Sequence, residues 1–386
     1  MTRRPGTPRL LRQLNDRAAL ELLLSGGPLT RAELGELTGL SKVTAGQLLA
    51  RLEDRRLVAM VGEQAGGRGP NAALYGVVPS CAYVAGLDVL PDRISAGVAD
   101  ITGETVAEVS VDPSDHEDPV RLVHSAVQKA CESAGITLAQ LRAFVIGTRG
   151  VVDPRTGDVR FSFDLPSWHE GVLAELRRDL NVPVTIENDV NLAALAEHFC
   201  GAAAAVDDFV LVWAGVGQGL GVMLGGRLHR GFTGGAGEIG WLPVPGEPLP
   251  VNVTEPQSGS FQRLVGGDAV AGLANAYGVR GDTMADHVRA ALFDGAEGFL
   301  EELAGRLAVG VAAVAVVLDP GLIVLSGHVG RAGGNALAAR VEEAVARFCP
   351  SQPRVVVSEV KGNSVLRGAL VSALSQAREQ VFSETV

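Results

Sequence analysis

Apolar side chains in the N-terminal stretch recur at the spacing of helices that bury one face. Leu11, Leu14, Ala18 and Leu22, with Leu20, Leu23 and Leu24, form a helical stripe over residues 10–24, which Gly26, Gly27 and Pro28 end. Thr30, with Glu33 three positions on, reads as a capping box that opens a second helix, in which Leu34 and Leu37 face inward. Thr38-Gly39-Leu40 makes a tight turn. Ser41 then caps a third helix that runs to about Asp54, with Val43, Leu48, Leu49 and Leu52 as its apolar positions. Helix, short glycine-containing turn, helix is the helix-turn-helix pattern. Residues 57–61 and 72–75 follow as two extended runs of a wing, joined through Gly66-Gly67-Arg68-Gly69-Pro70.

Beyond residue 80 the pattern predicts an α/β body. Residues 83–89, 94–100 and 105–111 read as three hairpin-linked strands, followed by a helix over about 119–134 and a strand and turn over 144–152. A further strand ends in Glu187-Asn188-Asp189, and an apolar strand leads into the glycine-rich turn 215–219. Helices are expected over 266–277, 283–293, 299–317 and 332–348, then a strand over 355–358 and a closing helix over 366–382. The fold class is therefore α/β: an N-terminal winged helix-turn-helix followed by a body of two α/β lobes around a cleft. Expected boundaries are 1–78 for the winged helix, 79–198 with 365–386 for the first lobe, and 199–364 for the second.

Composition agrees with a globular chain. Of 386 residues, 47% are hydrophobic and 49 are glycine, which suits many tight turns. Cys81, Cys131, Cys200 and Cys349 form no CxxC pair, so they are expected to be buried free thiols without a disulfide framework or metal knuckle. The apolar run 307–318 is shorter than the roughly 20 residues that span a bilayer. No signal-peptide pattern follows Met1, so a cytoplasmic location and no membrane partner are expected.

Charge changes the picture. The net value of −11 argues against nucleic acid, but the first 75 residues carry 11 Lys and Arg against 7 Asp and Glu, and the rest 22 against 37. A basic head on an acidic body can bind phosphates whatever the total charge. A double-stranded DNA operator is the expected partner, with Ser41, Lys42, Thr44, Gln47, Arg51 and Arg68 as candidate contacts. Gln47 suits adenine, and Arg68 between glycines suits a narrow minor groove. Reading paired half-sites needs two heads, so a homodimer or homotetramer is expected. The alternative for this stretch is a dimerisation or lid module.

The stretch 184–241 carries the candidate chemistry. Carboxylates and an amide at strand ends beside flexible glycines suit a ligand with many hydroxyls, because carboxylates accept hydrogen bonds and Asn both donates and accepts. The residues Glu187-Asn188-Asp189-Val190-Asn191-Leu192-Ala193-Ala194-Leu195-Ala196-Glu197, the run 225–231, Ala236-Gly237-Glu238-Ile239-Gly240 and the run 319–327 resemble the ROK family, and the whole resembles its winged-helix transcriptional regulators. That resemblance implies an actin-like (ribonuclease-H-type) body and a sugar bound by Asn188, Asp189 and Glu238. Asp189 matches the general base of the family's kinases.

Departures from the family pattern shape the expectation. The turn after Asp88 is Val89-Leu90-Pro91-Asp92-Arg93, without the glycines that let backbone amides approach ATP phosphates. Asp88 then reads as a leftover acid or a strand-end cap. Trp241 stands at the family's His position, and Ser260 and Gln262 stand at its final Cys and Glu, with neither Cys nor His between 242 and 264. Zinc needs about four N or S ligands, so no metal and no cofactor are expected. Trp241 would stack on a pyranose or fill the space of the zinc site, and Gln262 would hydrogen-bond a sugar without charge. His328 sits where the kinases hold nucleotide, as a surface residue. The reading is a non-enzymatic, sugar-sensing transcriptional regulator, acting as a repressor. The alternatives are a sugar kinase with a regulatory DNA-binding head and a constitutive regulator with a defunct pocket.

Overall fold

The computed structural model describes residues 8–65, 71–113, 118–161, 171–250, 252, 255 and 258–383. The N-terminal helices are α1 (Pro8–Gly26), α2 (Arg31–Thr38) and α3 (Lys42–Asp54). Strands β1 (Leu29–Thr30), β2 (Val58–Gln64) and β3 (Ala72–Val77) form a sheet of order β1-β3-β2, with the β2–β3 wing antiparallel. Local chemistry sets the helix ends. Thr30 Oγ1 accepts from the Glu33 N–H (3.2 Å) while the Glu33 carboxylate accepts from the Thr30 N–H (2.8 Å). Ser41 Oγ accepts from the Thr44 N–H at 3.2 Å and starts α3. Gly39, at φ 70°, closes α2.

The inward faces differ from the sequence pattern. Ala19, Leu20, Leu23, Leu34, Leu48, Leu49 and Leu52 make the core of the head, but Leu11, Leu14, Leu37 and Val43 stand out in solvent. The inner stripe of α3 is Ala45, Leu48, Leu49 and Leu52, which turns Val43 to the opposite side, 71% exposed. Arg68 lies outside the described residues.

In the body, β4 (Tyr83–Val89), β5 (Ile94–Asp100) and β6 (Thr105–Val111) form the expected antiparallel meander. After α4 (Pro119–Ser133), β7 (Leu141–Thr148) pairs parallel with β4; β8 (Val151–Val152) and β9 (Val159–Phe161) make a small ribbon. α5 (Val172–Leu180) leads to β10 (Val184–Asn188), completing the order β10-β7-β4-β5-β6. α6 (Asp189–Cys200) then crosses to the second sheet. This is built from β11 (Phe209–Ala214), β12 (Gln218–Leu224), β13 (Arg227–Leu228), β14 (Leu322–Ser326) and β15 (Arg354–Val357) in the order β13-β12-β11-β14-β15. The helices α7 (Ser260–Val265), α8 (Gly267–Ala276), α9 (Met284–Asp294), α10 (Glu297–Leu318) and α11 (Gly327–Ala346) belong to this lobe, and α12 (Ser364–Ser383) returns to the first sheet. α11 starts several residues before the sequence pattern indicated.

The helix α12 joins body to head. It packs on α6 and on β4 and β7, and Gly368 meets the Leu192 carbonyl so closely that a Cβ there would overlap it. Leu370, Ala373, Leu374, Ala377, Val381 and Phe382 share one continuous apolar cluster with Leu20, Leu23, Leu49 and Leu52 of the head. Arg55 donates to the Val381 carbonyl (2.7 Å), a second tie at the end of α12. Among the described residues no helix is long and apolar enough to cross a membrane. Cys131 and Cys349 are buried and Cys81 half-buried; Cys200, at the end of α6, is exposed, against expectation.

Candidate ligand cleft and DNA-reading helix

Chain direction builds the cleft. Parallel β7 and β10 end side by side, with Thr148 opposite Asn188, so the residues that follow both strands come together. Ligand clefts of open α/β sheets form at such carboxyl ends. Asn188 is the N-cap of α6: its Oδ1 accepts from the Asn191 N–H (3.1 Å) and its Nδ2 donates to the Gly150 carbonyl (3.0 Å). Asp189, the first residue of α6, accepts from the Val190 N–H at 2.9 Å and keeps its other oxygen for other partners. Opposite, the loop after β13 carries Glu238. Gly237, at φ 100°, sits where a Cβ would overlap the Leu220 carbonyl, and Gly234, at φ 84°, where one would overlap the Val152 carbonyl of the first lobe. Arg230 binds Glu187 across the lobes (2.6 Å), and Glu187 also accepts from Asn191 Nδ2 (2.9 Å). These contacts hold the Glu238 loop against β10.

The resulting cavity is lined by Asn188, Asp189, Glu238, Trp241 and Gln262, together with Arg149, Trp213, Gln218 and His328. Burial pushes the Asp189 carboxyl up to about 7, with Asp88 and Glu238 adding repulsion and Arg149 opposing. Burial raises Glu238 as well. His328 is lowered, first by burial and then by Arg149, Arg331 and Arg93. Two desolvated carboxyl groups, beside an amide and two indoles, suit a polyhydroxylated ring: acceptors for the hydroxyls and flat faces for its C–H groups.

Several candidates hold structural bonds as well. Gln262, 4% exposed, donates Nε2 to the Val216 carbonyl (2.5 Å) and so braces the glycine turn. Ser260 donates to the Pro248 carbonyl (3.0 Å). With Trp241 at the cavity wall and these two side chains turned to backbone, the residues present do not fit a zinc ion. Asp88 is nearly fully buried and accepts from Asn363 Nδ2 (2.7 Å), while Asn363 Oδ1 accepts from the Val365 and Leu366 N–H groups at the start of α12. It thus fastens α12 to the sheet. The turn after it is closed by the Leu90 N–H donating to the Arg93 carbonyl (3.0 Å). Arg149, Trp213, Gln218 and His328 were not among the sequence candidates as ligand contacts. For Arg149 a signal existed, since it lies in the strand and turn read over 144–152.

On the head, Ser41, Lys42 and Gln47 are exposed and Thr44 half-buried along α3. Arg51 pairs with Asp16 of α1 at 2.6 Å; the Asp16 side chain is only 1% exposed, while that of Arg51 keeps 35% of its surface in solvent. Its place in the last turn of α3, over α1, brings it to a buried carboxylate of the head. Replacing Arg51 with Ala is expected to destabilise the protein by about 2 kcal/mol, less than for a fully buried pair because the guanidinium is a third exposed. Adding Asp16→Asn should recover most of that loss in urea unfolding; additive losses would show that the pair carries no coupling.

The ROK family model matches residues 84–376, and the MarR family model matches residues 13–69. Over 244 residues the chain is 28% identical to a xylose repressor of Caldicellulosiruptor bescii, covering 62% of this chain and 61% of that protein. Over 249 residues it is 28% identical to the DNA-binding transcriptional dual regulator NagC of Escherichia coli, covering 63% of this chain and 60% of that protein. The matched stretch thus spans less than two thirds of these curated relatives. Among solved structures, a ROK family transcriptional regulator described as a homologue of the E. coli MLC protein matches 97% of this chain and 100% of its own, with TM-score 0.77 at 19% identity, a likeness of fold. A ROK hexokinase from Thermus thermophilus matches 77% of this chain and 99% of its own, with TM-score 0.63 at 28% identity.

Proposed function

Because this chain belongs to the ROK family, we propose that it is a DNA-binding transcriptional regulator, a repressor, whose cleft takes a sugar or sugar derivative and which does not phosphorylate it. Asn188, Asp189 and Glu238 accept and donate to the ring hydroxyls, Trp241 covers a ring face, and Gln262 holds the wall. Residues 1–78 form the reader, 79–198 with 365–386 the first lobe, and 199–364 the second. The protein works in the cytoplasm as a homodimer or homotetramer on a palindromic operator.

The observation that carries this reading is the shared core. Asn188 and Asp189 begin α6, α6 lies along α12, and the end of α12 is buried among the head's leucines. A ligand that draws the Glu238 loop and α6 together changes how α12 seats the reader. It shifts DNA affinity only by its differential affinity for the two arrangements.

The test is a panel of pentoses, hexoses and their derivatives at millimolar concentration, read by thermal shift and by binding to DNA from upstream of the protein's own gene. One sugar is expected to raise the melting temperature and to change DNA affinity at least fivefold. Stabilisation without a change in DNA affinity would defeat the regulatory reading. A kinase reading draws on Asp189, whose carboxyl titrates near 7 as a general base should, and on the hexokinase likeness. Under it, an ATP-coupled assay on the stabilising sugar gives turnover of about one per second; no turnover is expected, because the Val89–Arg93 turn has no glycine to let backbone amides approach phosphates.

A further inference from the structure

We infer that α3 reads thymine and adenine in the major groove through Val43 and Gln47, and that Arg31 holds a flanking phosphate. This rests on the DNA-binding reading above and adds the chemistry of the site it selects. The buried stripe of α3 leaves Lys42, Val43, Gln47 and Ala50 on the outer side. Val43 and Gln47 are one turn apart, so their side chains are neighbours on that face. Val43 is 71% exposed, at the start of the second helix of the helix-turn-helix, the part that meets base edges. A branched apolar side chain there fits the thymine methyl group, and a glutamine amide pairs with adenine N6 and N7.

Guanine reading would fall to Lys42 alone on this face. Bidentate recognition of guanine uses Arg or Lys. The one arginine of α3, Arg51, is held by Asp16 in the last turn, away from the Val43 end. Lys42, the first residue of α3, has the reach for phosphate.

Arg31 comes from α2. Its side chain crosses α3 at Gly46, where Cδ lies 3.4 Å and Nη1 3.6 Å from the position a Cβ would take. A larger residue at 46 would push this arm away. Among the described residues the Arg31 side chain has no hydrogen-bond or ion-pair partner. An exposed cation laid along the reading helix, with Lys42 on the same helix, matches the negative rail beside the groove.

The experiment selects binding sites from duplexes with a randomised core, using the full-length chain, then measures affinity on the selected duplex and on an unselected mixed-sequence duplex. Replacing the key thymine by uracil removes only the methyl group; it is expected to weaken the wild type about fivefold and V43S not at all. Replacing the key adenine by 7-deazaadenine is expected to weaken the wild type about tenfold and Q47A not at all. R31Q is expected to lower the slope of log affinity against log salt by about one on both duplexes, and G46L to do the same by displacing the arm. Equal uracil penalties for wild type and V43S, or a selected half-site without thymine or adenine dependence, overturn the base assignment while leaving DNA binding intact. An unchanged slope for R31Q overturns the phosphate assignment. If no duplex binds at about 50 mM salt, the DNA-binding reading falls with the inference.

Discussion

Asp189→Asn is expected to lose the response to sugar, with affinity for the effector about 100-fold weaker, while DNA affinity without sugar stays within about twofold. The substitution keeps shape and the acceptor that meets the Val190 N–H. It removes the charge that a donating hydroxyl strengthens. Hydrogen bonds to charged groups contribute about 1.5–3 kcal/mol each, so losing one or two in a dry site accounts for the drop. Titration calorimetry with the sugar found by thermal shift measures the first quantity, and DNA binding the second. A variant that still responds normally would remove Asp189 from the pocket.

Proton linkage gives the same residue a second signature. An ordinary aspartate ionises near 3.8; burial raises this one to about 7. Between those values the folded chain keeps a proton that the unfolded chain has released. Stability from this group therefore falls as pH rises across the interval and is level above about 7. The Asn variant lacks that fall, so its stability advantage over the wild type should grow from pH 5 to pH 8, by on the order of 2 kcal/mol. Sugar hydroxyls favour the ionised form. Wild-type sugar affinity should therefore rise with pH up to about 7 and then level, while the variant stays flat.

Gly368→Ala is expected to destabilise the whole protein by about 3 kcal/mol or more. The added methyl would overlap the Leu192 carbonyl, a backbone atom in the first turn of α6. α6 cannot yield easily, because Asn188 caps one end and Glu197, at the other, accepts from the Ala202 N–H (2.8 Å). Separating α6 from α12 also disturbs the cluster that α12 shares with the head. Urea unfolding should show a lower midpoint in one transition for head and body, with little change in slope. A loss below about 0.5 kcal/mol would mean that the two helices are free to part, and that α12 does not transmit anything between cleft and reader.

Much of the head was legible because its signals are local. Thr30, Glu33 and Ser41 act on N–H groups within three residues, so capping was readable from the string, and the helix ends followed. Which way a side chain faces is not local. Leu37 and Val43 fit an apolar period, yet both lie outside it, because the position of α1 decides which stripe of α2 and α3 is covered. The partner that Arg51 finds in the fold, Asp16 of α1, lies thirty-five residues earlier in the chain and could not be read from α3.

The cleft divides in the same way. Asn188 and Asp189 at a strand end and Glu238 after two glycines marked it in the sequence, because a strand-to-helix turn and a glycine loop are short-range features. The same stretch also carried the family likeness. What sequence alone determined was thus the succession of elements, the reader ahead of a two-lobed body, and the motif at the cleft. Only the tertiary structure decided the rest. It brought Arg149, Trp213 and His328 to the same cavity, raised Asp189 by burial between two lobes, and buried α12 against the head. The reason is physical: hydrogen bonds of caps and turns act between neighbours, whereas desolvation and packing depend on which distant segments close over a residue.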